Sequence, residues 1–92
     1  MIPVHPGRIL KRELKARSLS ANKLALSLRV PSGRITMILN GKRAISPETA
    51  LRLARYFGNS AQFWLNLQTS FDLGVAERTI GDTIKAEVNE AA

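Results

Sequence analysis

SANKLALSLRVPSGRITMILNGKR, residues 20–43, holds two short helical patterns separated by a tight break and closed by Asn40-Gly41 and two cations. Ser20 suits an N-cap, because its hydroxyl can accept from an orphan backbone N–H of the first turn. Leu24, Ala25 and Leu28 recur at i, i+1 and i+4 and form a buried stripe. Arg29 and Val30 supply the break. Pro31, with no N–H to lose, suits the first turn of a following helix that runs to about Leu39. There Ile35, Ile38 and Leu39 point inward, while Ser32, Gly33, Thr36, Met37 and Asn40 face outward. Gly41 is a natural C-terminal stop. Two short helices joined in this way suit a helix-turn-helix, in which the first braces the second against a major groove.

The flanking sequence extends the helical reading. Met1 to Gly7, with two prolines and a glycine, reads as an extended arm. A helix from Pro6 or Gly7 to Arg17 carries Ile9, Leu10 and Leu14 on one stripe, and Ser18 to Ser20 interrupt it. Ser46-Pro47-Glu48 combines a capping hydroxyl, proline at the first helical position and an acid at the positive end of the dipole. The helix it opens should bury Ala50, Leu51, Leu53, Ala54 and Phe57 and stop at Gly58. Ser60 caps a fifth helix whose Phe63, Trp64, Leu67 and Phe71 form a broad apolar band ending near Leu73 or Gly74. Ala76, Ile80, Ile84 and Val88 then recur every four residues, interrupted by Gly81. The expected architecture is all-α: five helices over residues 1–74, followed by a helical extension over 75–92 that dimerises or is partly disordered. No alternation is long enough for a strand.

At 92 residues the chain makes one domain with a single modest core. Cysteine is absent, which excludes disulfides and thiolate metal sites and fits a reducing compartment. No apolar run approaches the roughly 20 residues that span a bilayer. The N-terminus also lacks the layout of a secretory signal, so the expected location is the cytoplasm, with no membrane role. Paired carboxylates are missing from the basic half, His5 has no evident nucleophile, and no glycine loop could cradle phosphate. An enzyme, a cofactor or a metal is therefore not expected.

Charge is placed unevenly. Of the 14 lysines and arginines, ten lie before Ala44, accompanied there by one acid, Glu13; the other six acids lie beyond it. A basic half attracts phosphate and releases its counterions. With the helix-turn-helix, the favoured partner is double-stranded DNA. The N-terminal half of a helix in the major groove reads base edges, which nominates Ser32, Gly33, Thr36 and Met37. Arg34 could pair with guanine, clamp a phosphate or serve an intramolecular role. Asn40, Lys42 and Arg43 after that helix, and Ser20 and Lys23 at the start of the helix before it, suit phosphate contacts that set register rather than sequence. One helix covers few base pairs, so a homodimer is expected, with Trp64, Leu67, Phe71, Ile80 and Ile84 as its interface.

LALSLRVPSGRITMILNGKRAIS, TALRLARYFGNS, FWLNLQTSFDL and the opening HPGRILKREL together resemble the HigA-type antitoxins of bacterial toxin-antitoxin modules, within the Cro/C1 or XRE-type repressors. The resemblance covers about residues 5–76. It implies a five-helix, lambda-repressor-like domain, an operator-binding homodimer, and a cognate HigB-type, RelE-like mRNA interferase toxin that the antitoxin neutralises while repressing its own operon. It also implies base reading by Ser32, Gly33, Thr36 and Met37, and phosphate contact by Asn40 and Arg43. Two positions depart from the pattern. Ala21 stands where many relatives carry a phosphate-contacting glutamine, and Arg29 where a turn glycine is common, which strains the turn if that position needs a positive φ. A stand-alone repressor without a toxin shares nearly all of these features, and a protein-interaction module with a vestigial helix-turn-helix is the third reading.

Overall fold

The computed structural model describes residues 2–91; Met1 of the expected arm and Ala92 of the expected extension lie outside them. Five helices follow one another: α1 (Pro6–Ala16), α2 (Ala21–Leu28), α3 (Ser32–Leu39), α4 (Pro47–Phe57) and α5 (Ala61–Glu87). Among the described residues there is no strand. Capping explains where they start. Ser20, Ser46 and Ser60 each accept a hydrogen bond from the backbone N–H three residues on, which belongs to Lys23, Thr49 and Phe63. Pro31 lies just outside α3 as an N-cap with extended ψ, instead of inside its first turn. Gly58 closes α4 at φ 75, and Gly41 follows α3 at φ 73. Arg29 closes α2 at φ 61, so the turn does need a positive φ there and a residue with a side chain supplies it.

The core gathers Leu10 and Leu14 from α1, Leu24, Ala25 and Leu28 from α2, Ile35 and Ile38 from α3, Ala50 and Leu53 from α4, and Ile45 from the α3–α4 loop. Trp64 completes it. The indole is fully buried, donates to Asn59 Oδ1 at 2.9 Å and packs against Phe57 and Phe63. Its expected place in a subunit interface is thereby corrected. The band around it is the inner face of α5, closed over by α4 of the same chain. Leu51 is also corrected, from buried to 64 % exposed, because Thr49, Ala50 and Leu53 already fill the inward stripe of α4.

The expected helix end at Leu73 or Gly74 is absent. α5 continues to Glu87, 27 residues or about 40 Å, through both Gly74 and Gly81. Gly74 has a different use: a Cβ there would lie 2.9 Å from Pro3 Cγ, so the bare backbone lets the N-terminal arm cross α5. Leu67 and Phe71, also expected at the dimer interface, are half-buried and line a groove with Pro3, Val4 and Ile9. The last turns of α5 extend past the body of the domain, whose overall extents are 52 × 22 × 21 Å.

Candidate nucleic-acid interface

α3 presents one polar face. Ser32, Gly33, Thr36, Met37 and Asn40 are all exposed, at spacings that stack them along one side of a helix, while Ile35 and Ile38 are fully buried on the other. The Thr36 hydroxyl donates to the Ser32 carbonyl at 3.1 Å, which fixes its rotamer and leaves the oxygen facing outward as an acceptor, with the methyl beside it. Nothing lies within 4 Å of a Cβ built on Gly33, so a duplex could approach the backbone closely there. Met37 adds a polarisable apolar tip that can pack on a thymine methyl.

The expected phosphate-binding residues flank this face. After α3 the chain turns sharply, with the Gly41 N–H donating to Ile38 O and the Lys42 N–H to Met37 O at 2.9 Å. Lys42 and Arg43 follow the turn, both exposed. At the start of α2, Ser20 uses its oxygen as a cap acceptor yet stays exposed, so its O–H remains a donor, and Lys23 beside it is exposed. Ala21, half-buried against the core, contributes no polar atom.

Arg34 takes the intramolecular role among the three considered. Its guanidinium meets Glu48 Oε1 at 3.1 Å, its side chain is only 20 % exposed, and its Nε is buried without a partner. Placement explains this: residue 34 falls on the flank between the outward row and the buried stripe, facing the start of α4 rather than open solvent. As a base reader Arg34 is therefore corrected. Glu48 also accepts from Arg52 Nη2 at 3.1 Å, and Arg52 Nη1 donates to the Leu28 carbonyl at 2.9 Å. One carboxylate thus ties α3 and α4 together and, through Arg52, reaches the end of α2. The Arg52 hydrogen bond, with the Arg34 charge next, holds the Glu48 carboxyl below its ordinary range. Arg17 is likewise used internally, paired with Glu13 at 3.2 Å and stacked over Phe57. The ten cations of the basic half are accordingly not all available to a duplex.

His5 is the residue that the sequence reading passed over. It is the N-cap of α1, its Nδ1 accepting from the Gly7 N–H at 2.9 Å. The ring stands edge-on to Phe71 with centroids 4.9 Å apart. Its position immediately before Pro6-Gly7, a proline at the first helical position, is the signal that could have found it. Gln68 is a second such residue. Its side-chain oxygen accepts from the Ile45 N–H at 2.8 Å and its amide donates to Asp72 at 3.0 Å, which anchors the α3–α4 loop to α5.

Comparison with known proteins agrees with this geometry. A helix-turn-helix family profile matches residues 10–64. Virulence-associated protein I of Dichelobacter nodosus is 52 % identical over 79 residues, covering 85 % of this chain and 73 % of that protein. An addiction module antidote protein of a HigA family from Coxiella burnetii superposes with a TM-score of 0.96 at 48 % identity, over 99 % of this chain and all (100 %) of that one. The Pseudomonas aeruginosa antitoxin HigA, solved with the higBA promoter, superposes with a TM-score of 0.95 at 40 % identity, over 98 % of this chain and 99 % of that one. Among the described residues, no helix is long and apolar enough to cross a membrane.

Proposed function

Because this chain belongs to the helix-turn-helix family and groups within it with the HigA antitoxins, we propose that it binds operator DNA as a homodimer, represses its own operon and neutralises a cognate HigB-type, RelE-like toxin. The observation that carries the DNA half is the outward row Ser32, Gly33, Thr36 and Met37, standing on a helix whose opposite side is locked into the core. Those four read bases. Ser20, Lys23, Asn40, Lys42 and Arg43 hold phosphates on either side, and Arg34 supports the reading helix from behind through Glu48. The Pseudomonas aeruginosa antitoxin solved with the higBA promoter supports DNA binding by this chain. The toxin half rests on the HigA kinship.

The dimer follows from α5. Leu73, Ile80 and Ile84 of α5 and Val88 just past its end are all exposed, and an apolar helix end with no neighbour is marginal in water. A second copy pairing along Ile80 and Ile84 covers both stripes at once and supplies the second reading helix that a two-fold operator needs. Residues from 75 onward thus act as the dimerisation segment, continuous with the helix that closes the core.

The test is a mobility-shift titration of a duplex from upstream of the protein's own gene, against a scrambled duplex. Thr36→Ala combined with Met37→Ala should weaken the upstream duplex by about 1–3 kcal/mol per lost base contact while leaving the scrambled one unchanged. Equal affinity of the wild type for both duplexes would sink the operator reading. Co-expression with the product of the neighbouring gene should relieve growth arrest caused by that product. Failure to do so leaves a repressor without a toxin.

A further inference from the structure

We propose that His5 is a positioning residue for DNA binding: its neutral imidazole clamps the Gly41–Arg43 turn to the start of α1 and to α5, and so fixes the loop cations where a phosphate backbone passes. This rests on the operator-binding reading above.

The ring touches three elements: the start of α1, the turn after α3, and α5. Nδ1 accepts from the Gly7 N–H, so in the neutral ring the proton sits on Nε2. The Arg43 backbone lies near enough to the ring to favour its protonated form, against the effect of burial. The ring lies against Gly41, where a Cβ would stand 3.8 Å from its Cγ, and packs edge-on against Phe71 of α5. Gly41 itself holds φ 73, so the turn is left-handed at the point where the imidazole touches it. Lys42 and Arg43 project into solvent from the backbone so held. A cation grips a phosphate with most effect when its backbone is already placed, because less freedom is then lost on binding.

The arrangement works only while Nδ1 is unprotonated. An imidazolium would point an N–H at the Gly7 N–H, two donors face to face, and the ring would have to leave. Burial lowers the His5 pKa from its ordinary 6.5, opposed by the nearby Arg43 backbone and by the charge of Asp72. Asp72 is the charged group acting on the ring from α5; α1 offers it the Gly7 N–H, the turn offers the Arg43 backbone, and the Arg8, Lys42 and Arg43 side chains are exposed. With the folded pKa below the unfolded one, the clamp is fully formed above 6.5. Stability falls as pH drops from there towards the folded value, where the ring takes up its proton in the native state. His5 is the single histidine of the chain, so the imidazole resonances report its protonation without overlap from another ring.

Phosphate grip is read out by salt. The experiment measures the dissociation constant of the upstream and scrambled duplexes against salt concentration, at about pH 7 and about pH 5, for the wild type and His5→Asn. Asparagine keeps an N-cap acceptor for α1 but lacks the ring that packs against Gly41 and Phe71. At pH 7 the wild type should show the steeper dependence of log affinity on log salt. His5→Asn should lower that slope by about one on both duplexes, the signature of a lost phosphate contact. Acidification should flatten the wild-type slope towards that of the variant and leave the variant unchanged. A wild-type slope that stays unchanged at a pH where the NMR titration of the His5 ring shows it protonated overturns the proposal without recourse to any variant. So does a folded His5→Asn protein with wild-type slope and pH response. If the wild type binds neither duplex at pH 7, the operator reading itself has failed and this inference falls with it.

Discussion

Two helical glycines, Gly7 in α1 and Gly33 in α3, should respond to alanine in opposite directions. At Gly7 an added methyl would overlap the Ile38 carbonyl oxygen and lie 2.8 Å from the Ile38 carbonyl carbon, well inside the ~3.5 Å of favourable carbon contact. Both obstacles are backbone, so no rotamer change relieves them; α1 must move off the end of α3 by about 1 Å or more. Overpacking of this kind costs about 1–3 kcal/mol, and the absence of any yielding side chain places Gly7→Ala at the top of that range. For a domain of this size each kcal/mol is about 4–8 °C, so the melting temperature should drop by roughly 10–20 °C. At Gly33 the added methyl meets nothing within 4 Å. Alanine should there stabilise α3 by about 0.5–1 kcal/mol through helix propensity, while weakening operator binding by standing where the duplex approaches. Urea unfolding followed by circular dichroism, paired with a shift titration of each folded variant, checks both. Gly7→Ala within about 0.5 kcal/mol of wild type would mean that the α1–α3 contact is not the close backbone approach described. A Gly33→Ala protein that binds operator as tightly as wild type would remove Gly33 from the reading face.

Arg29→Gly should raise stability, since relief of about 1–2 kcal/mol of left-handed strain exceeds the roughly 0.5–1 kcal/mol that glycine's freedom costs. A thermal melt that shows no gain would contradict the strain at φ 61. Ile80→Glu together with Ile84→Glu should convert the dimer to a folded monomer in sedimentation at micromolar concentration and weaken the operator complex. Unchanged mass would place the interface elsewhere.

The local signals in the sequence were sufficient for most helix boundaries. Ser20, Ser46 and Ser60 announce their helices because a capping hydroxyl acts within three residues, and Leu24, Ala25 and Leu28 reveal their buried stripe by spacing alone. The outward row of α3 was legible for the same reason. What escaped depends on parts of the chain far apart in sequence. Gly74 reads as a helix stop until Pro3 is seen lying across it. Trp64 reads as core or subunit interface alike until α4 is seen closing over it. Arg34 stays ambiguous on a helical wheel, being on a flank, and only the arrival of Glu48 from the next helix decides its direction. His5 looks solitary because, apart from Gly7, the groups its ring meets sit at residues 41 and 71.

The buried indole also gives the protein its own optical reporter. Trp64 is the chain's single tryptophan, fully excluded from solvent at the seam of α4 and α5, and no residue of the α3 reading row is among its aromatic or hydrogen-bonded neighbours. Its emission should be blue-shifted in the native state and move to longer wavelength only when that seam opens, remaining silent as a duplex docks. Unfolding can therefore be followed in the presence of DNA, and the rise in midpoint with duplex concentration yields the affinity by linkage, about 2.7 kcal/mol of added stability at a hundredfold excess over Kd. The feature that closes the core doubles as an unlabelled gauge of what the opposite face is holding.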